Sequence, residues 1–155
     1  MKQVMLMMAF LFVSAGLFAQ DEDKKGAYIE FDESVVNDKG QVVYNYGEIV
    51  HNGDGTSIFR FKNTGTEPLV LSKVRSSCGC TVPSWPRKPI MPGEEETIEV
   101  EYDTRRMGRI YKSISIYSNA KNSPIIARIK GEVVKQEDLA PKKETSMGAP
   151  SAGDK

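Results

Sequence analysis

Thr97-Ile98-Glu99-Val100-Glu101-Tyr102-Asp103 alternates apolar and polar side chains without a break. Successive side chains of a strand point to opposite faces, so this order puts Ile98, Val100 and Tyr102 on one face and the three acids on the other. A helix would need apolar residues returning every three or four positions instead. Further along the chain, Ile125, Ala127, Ile129 and Val133 form a second stripe, with Arg128, Lys130 and Glu132 pointing the other way. The same reading predicts strands from Tyr28 to Asp32, Val42 to Ile49, Ser57 to Lys62, Leu69 to Arg75 and Tyr111 to Tyr117. Turn residues separate them at Asp38-Lys39-Gly40, Asn52-Gly53-Asp54-Gly55, Asn63-Thr64-Gly65, Pro92-Gly93 and Asn119 to Asn122. About seven short strands with no helix between them imply an all-β fold, an immunoglobulin-like two-sheet sandwich, with a small barrel as the alternative.

The predicted domain spans residues 27–134. A chain of 155 residues, 39% hydrophobic and 27% charged, has room for one such domain and its core. Lys plus Arg and Asp plus Glu each number 21, so the overall balance lacks the basic excess that a nucleic-acid or anionic-membrane partner calls for. Ahead of the domain, Met1-Lys2-Gln3 leads into an apolar run from Val4 to Phe18, followed by Ala19-Gln20 and the acidic Asp21-Glu22-Asp23. A basic start, a short apolar run and a small residue are the layout of a signal peptide, here residues 1–19. The run of about 15 residues is shorter than the roughly 20 that span a bilayer. No cysteine follows it to carry a lipid. The expected compartment is therefore periplasmic or secreted, with no stable membrane anchor after cleavage. Residues 135–155, rich in Lys, Glu, Pro, Ser, Gly and Ala, cannot offset their ordering entropy by burial and are expected to form a disordered tail.

Several punctuation residues carry a resemblance. Phe59-Arg60-Phe61-Lys62-Asn63-Thr64-Gly65, Pro68-Leu69 and Ser77-Cys78-Gly79-Cys80-Thr81 are followed by Pro89-Ile90, Pro92-Gly93, Gly108, Ser118-Asn119 and Gly131. Over roughly Tyr46 to Val134 the chain resembles the bacterial family called domain of unknown function 1573, whose members are mostly exported and immunoglobulin-like. The resemblance implies fold and compartment and leaves activity open, because the family has no agreed one. The domain is also similar to the immunoglobulin-like interaction modules of cilia and centrosome proteins, a likeness at fold level only.

Cys78 and Cys80 are the only cysteines. In an extended strand their Cα atoms would be about 6.6 Å apart, the outer edge of disulfide reach, and Gly79 could bend the chain inward. Three readings stand side by side. The pair could be small semi-buried thiols with Gly79 needed for close backbone approach, a local redox disulfide, or two thiolates for a soft ion such as Cu(I). Zinc fits poorly, since His51 is the only histidine.

The segment Pro83-Ser84-Trp85-Pro86-Arg87-Lys88-Pro89-Ile90-Met91-Pro92 has proline at every third position, the period of an extended polyproline helix. It is expected either to present Trp85 as a contact residue or to cross between the sheets while Trp85 caps the core. Arg105-Arg106-Met107-Gly108-Arg109 reads as a solvated basic turn.

Catalytic arrangements are thin. His51 lies beside Asn52-Gly53 in a turn-rich stretch, Glu94-Glu95-Glu96 reads as a strand entry rather than paired catalytic acids, and Gly53-Asp54-Gly55 lacks the third glycine and the helix of a dinucleotide loop. The expectation is a non-catalytic binding or scaffolding module of the bacterial envelope, without cofactor or metal, whose partner is another envelope protein. The alternative is a thiol redox or copper-binding protein acting through Cys78 and Cys80.

Overall fold

The alternation in the central acidic strand is realised in full: Ile98, Val100 and Tyr102 are buried while Glu95, Thr97, Glu99 and Glu101 are exposed. A computed structural model describes residues 25–139. The predicted signal peptide, and the predicted tail from residue 140 onward, lie outside the described residues. Eight strands follow in order: β1 (Ile29–Phe31), β2 (Val43–Val50), β3 (Thr56–Asn63), β4 (Leu71–Ser76), β5 (Thr81–Ser84), β6 (Glu95–Tyr102), β7 (Gly108–Ser118) and β8 (Ile125–Val134). Short 3-10 turns at Glu33–Val35 and Gln136–Leu139 complete the inventory, the second within the stretch expected to be disordered. Among the described residues no helix is long and apolar enough to cross a membrane.

The first sheet has the order β1-β3-β6-β5 and the second β2-β8-β7-β4. All pairs are antiparallel except β2 with β8, which run parallel. The inner stripes interdigitate: Phe59, Phe61, Ile98 and Val100 of the first sheet belong to the same buried cluster as Ile110, Ile114, Ile116 and Ile129 of the second. This is the two-sheet sandwich that the alternation implied.

Two expectations are corrected. Among the described residues the strands number eight because β5 exists, and Pro83 hid it. Proline cannot donate a ladder hydrogen bond and is tolerated on an edge, and β5 is an edge of the first sheet, with Pro83 opposite Val100. The proline-rich segment does not carry the chain between sheets either, since it joins β5 to β6, neighbours in one sheet. Along the way Ile90 is fully buried and exchanges two 2.8 Å backbone hydrogen bonds with Leu69.

Asn63, read only as a turn residue, is a fully buried junction. Its Nδ2 donates to the carbonyls of Glu67 (2.8 Å) and Ile90 (3.0 Å), and its Oδ1 accepts from the Gly65 amide (3.1 Å). Its backbone N–H donates to Glu94 and its carbonyl accepts from Gly93. Gly65 must lack a side chain, because a Cβ there would overlap the Gly26 carbonyl oxygen. One side chain thus ties together the end of β3, the turn after it and the approach to β6, satisfying backbone groups that burial would otherwise orphan.

At the other end Tyr46, on β2, crosses over to the first sheet. Its hydroxyl donates to the Gly55 carbonyl at 2.6 Å. Burial disfavours the phenolate and pushes the Tyr46 pKa from 10.0 up to about 12. A folded value above the unfolded one means that this contribution to stability is intact below pH 10 and is lost as the pH rises from 10 through about 12. Tyr46→Phe, which removes the titrating group, is expected to flatten the alkaline fall in denaturation midpoint between those values; chemical denaturation across that range checks it.

Candidate functional site at the sheet-crossing corner

Between β4 and β5 the chain leaves the second sheet and enters the first within a few residues. Ser77 still belongs to β7: its N–H donates to the Ser113 carbonyl at 2.9 Å, and its hydroxyl accepts from the Ser113 amide at 3.2 Å. By Cys80 the partner is the end of β6, for the Cys80 carbonyl accepts from the Asp103 amide at 2.9 Å and Thr81 stands opposite Tyr102. Cys78-Gly79-Cys80 is the bend itself.

Cys78 and Cys80 form a disulfide, with Cα atoms 5.3 Å apart. A bonded pair therefore replaces the reading as free thiols, and bonded sulfurs offer no thiolate to Cu(I). Gly79 is not there for close approach: it is exposed, and a Cβ added to it would meet nothing within 4 Å. Cys80 is 6% exposed, and Cys78 is partly exposed. Both sulfurs lie near the buried Thr81 hydroxyl, at 3.5 Å and 3.8 Å. That hydroxyl is placed to donate to a thiolate if the bond is opened by thiol exchange.

Beside the corner lies a cleft of about 480 Å³, walled by the turn at residues 52–55, the disulfide and the turn after β6. Its polar groups include Asp54, Glu101, Asp103 and Arg105. Gly55 cannot carry a side chain, because a Cβ would overlap the Tyr102 carbonyl, and this close approach seats the 52–55 turn against β6. Arg105 grips Asp103 with two donors, Nε to Oδ1 at 2.7 Å and Nη2 to Oδ2 at 3.1 Å. This hydrogen bonding, ahead of the opposing effect of burial, holds the Asp103 carboxyl below the usual aspartate range. Among the described residues no group of three or more His, Cys, Asp or Glu could hold a metal ion.

The remaining candidates are dispersed. His51 is exposed, as expected, and its Nε2 lies 3.2 Å from the Arg105 carbonyl, engaged by turn backbone. Glu94, Glu95 and Glu96 each take a separate partner, the Met91 amide, Lys62 and Lys88. Arg105 and Arg106 both lean on Asp103, a single carboxylate that offsets only part of the turn's positive charge. Trp85 packs against the core with its Nε1 buried and unpartnered, and the Arg87 guanidinium lies 3.8 Å from its ring centroid. Tyr46, Asn63 and Thr81 were missed by sequence reading. Asn63 stood inside the Asn63-Thr64-Gly65 turn signal, Thr81 inside the Ser77-Cys78-Gly79-Cys80-Thr81 run and Tyr46 inside the Val42 to Ile49 strand, none with the role it has here.

Arg105→Ala should let Asp103 titrate near the ordinary aspartate value, where the intact pair keeps it ionised to lower pH. Carboxyl chemical shifts followed by NMR on acidification test this, and an unchanged Asp103 titration would mean that the residue-105 backbone N–H and Arg106, not the Arg105 guanidinium, set its state.

Comparison with known proteins gives the fold a lineage. No curated protein matches by sequence. A solved structure of a protein of unknown function from Porphyromonas gingivalis matches with a TM-score of 0.58 at 19% identity, over 71% of this chain and 48% of that one. This chain thus spans about half the length of that protein. The seventh PapD-like domain of human CEP192 matches with a TM-score of 0.55 at 8% identity, over 71% of this chain and 87% of the domain. The VesB protease of Vibrio cholerae matches with a TM-score of 0.53 at 16% identity, over 68% of this chain and 32% of the protease. At these identities the likeness is one of fold, an immunoglobulin-like or PapD-like sandwich. The model of the family described as Protein of unknown function (DUF1573) matches residues 38–133, more than half of the chain, and the protein belongs to that family.

Proposed function

We propose that this protein is an exported, non-catalytic immunoglobulin-like module of the bacterial cell envelope that binds another envelope protein. The observation that carries this reading is the outer face of the second sheet. Tyr111 and Tyr117 on β7 are 58% and 41% exposed there, and Ile126 on β8, one strand over, is 40% exposed. Alternation places polar side chains on a solvent face, so a group of exposed aromatic and aliphatic side chains is surface that a partner would cover. Export is supported by the signal-peptide layout at the N-terminus and by a disulfide, which persists in oxidising compartments. Trp85 is a lesser contact candidate, because Arg87 already covers its ring.

Affinity capture from the native envelope tests the reading. Tyr111→Ala combined with Tyr117→Ala is expected to lose a protein that both the wild type and Trp85→Ala retain, with the fold intact by circular dichroism. Identical capture by all three proteins would remove the second-sheet face as the contact surface.

A second reading, a thiol redox protein, has its own observation: the Cys78–Cys80 bond joins residues only two apart, beside the Thr81 hydroxyl. So short a loop constrains the unfolded chain little, which leaves chemistry as a reason for the bond. In exchange with a dithiol carrier, the carrier would be oxidised to its disulfide while two electrons and two protons pass to Cys78 and Cys80 as thiols. Alkylation mass shifts after equilibration in glutathione buffers should show partial reduction. A bond that stays fully oxidised across the whole buffer range would reduce it to a structural link.

A further inference from the structure

The near-neutral total charge conceals a segregated one. On the outer face of the first sheet stand Glu30, Glu95, Glu99 and Glu101 with Arg60 and Lys62. The outer face of the second sheet carries Lys73 and Arg75 on β4, Arg109 on β7, and Arg128 and Lys130 on β8, against Glu132 and, at the β2 edge, Glu48. Among the described residues none of these five cations is ion-paired, whereas Lys62 on the opposite face already holds Glu95. The free cations surround the exposed side chains: Lys73 is in register with Tyr117, Lys130 with Tyr111, and Arg75 with Ser115, itself opposite Ile126.

We propose that this face binds an acidic, extended polypeptide segment of the partner, an inference that rests on the binding-module reading and names its chemistry. The spacing supports it. Lys73 and Arg75, like Arg128 and Lys130, are two residues apart on one strand, about 6.7 Å, and alternate side chains of an extended acidic segment repeat at that distance. Tyrosine and arginine are the residue types that dominate protein-binding hot spots. A phosphate polymer or a lipid surface is matched less well, since tyrosine and isoleucine interrupt the run of cations that either would engage.

Titration of the full chain with labelled poly-glutamate tests the proposal, because like charge keeps that probe extended at neutral pH. Saturable binding that weakens with added salt is expected. Arg75→Glu with Arg128→Glu should weaken it about tenfold or more. Tyr111→Ala with Tyr117→Ala should weaken it several-fold, and Arg60→Glu with Lys62→Glu on the opposite face should leave it unchanged. These are all surface positions, and circular dichroism verifies each fold. Absence of saturable binding, equal loss from the opposite-face pair, or tighter binding to anionic phospholipid vesicles or duplex DNA would overturn the inference. Should poly-glutamate fail while the tyrosine pair still abolishes capture of an envelope protein, the acidic-segment inference falls and the binding module stands. Should poly-glutamate bind and no captured protein depend on that face, the module reading is the one that fails.

Discussion

Burial of the two inner faces against each other is the constraint on which everything else in this molecule depends. Phe59, Phe61, Ile98 and Val100 share one buried cluster with Ile110, Ile114, Ile116 and Ile129 across the gap. At about 25 cal/mol per Å² of apolar surface removed from water, no other interaction here operates on the same scale. Most connections therefore change sheets, those from β5 to β6 and from β7 to β8 excepted, and each change takes backbone amides and carbonyls past buried surroundings where they must find partners.

The two ends of the sandwich meet that demand differently. At one end Asn63 supplies a side chain in place of a ladder, bonding four separate backbone groups while its own N–H and carbonyl pair with Glu94 and Gly93. At the other end the chain passes from Ser113 on β7 to Asp103 beside β6 within the span of Ser77 to Cys80, bridged by its own disulfide. The Tyr46–Gly55 hydrogen bond and the close seating of Gly55 on Tyr102 close the same end. The corner is thus rigidly framed, and the polar cleft beside it is a product of that framing.

Because the inner faces account for the fold, the outer faces are free to differ. One collects carboxylates and the other collects unpaired cations around two tyrosines. A composition balanced at 21 acids and 21 bases gives no hint of this, since net charge sums over residues that the fold sends to opposite sides.

Alternation at Ile98, Val100 and Tyr102, and again at Ile125, Ala127 and Ile129, was legible because the direction of a strand side chain is a local property with a period of two. Turn residues at Asn52 to Gly55 and Pro92-Gly93 were legible for the same reason, each being set by its own backbone preferences. The sequence by itself therefore determined the all-β class, the strands other than β5, most of the core and the short reach between the two cysteines. Only the tertiary structure decided that Pro83 lies on a sheet edge, that Asn63 is a buried junction, that the crossing falls at Cys78-Gly79-Cys80, and that Lys73, Arg75, Arg109, Arg128 and Lys130 share one face. Each of these depends on which distant strand lies alongside, and that is settled by burying two whole inner faces at once, not by any one segment's own pattern.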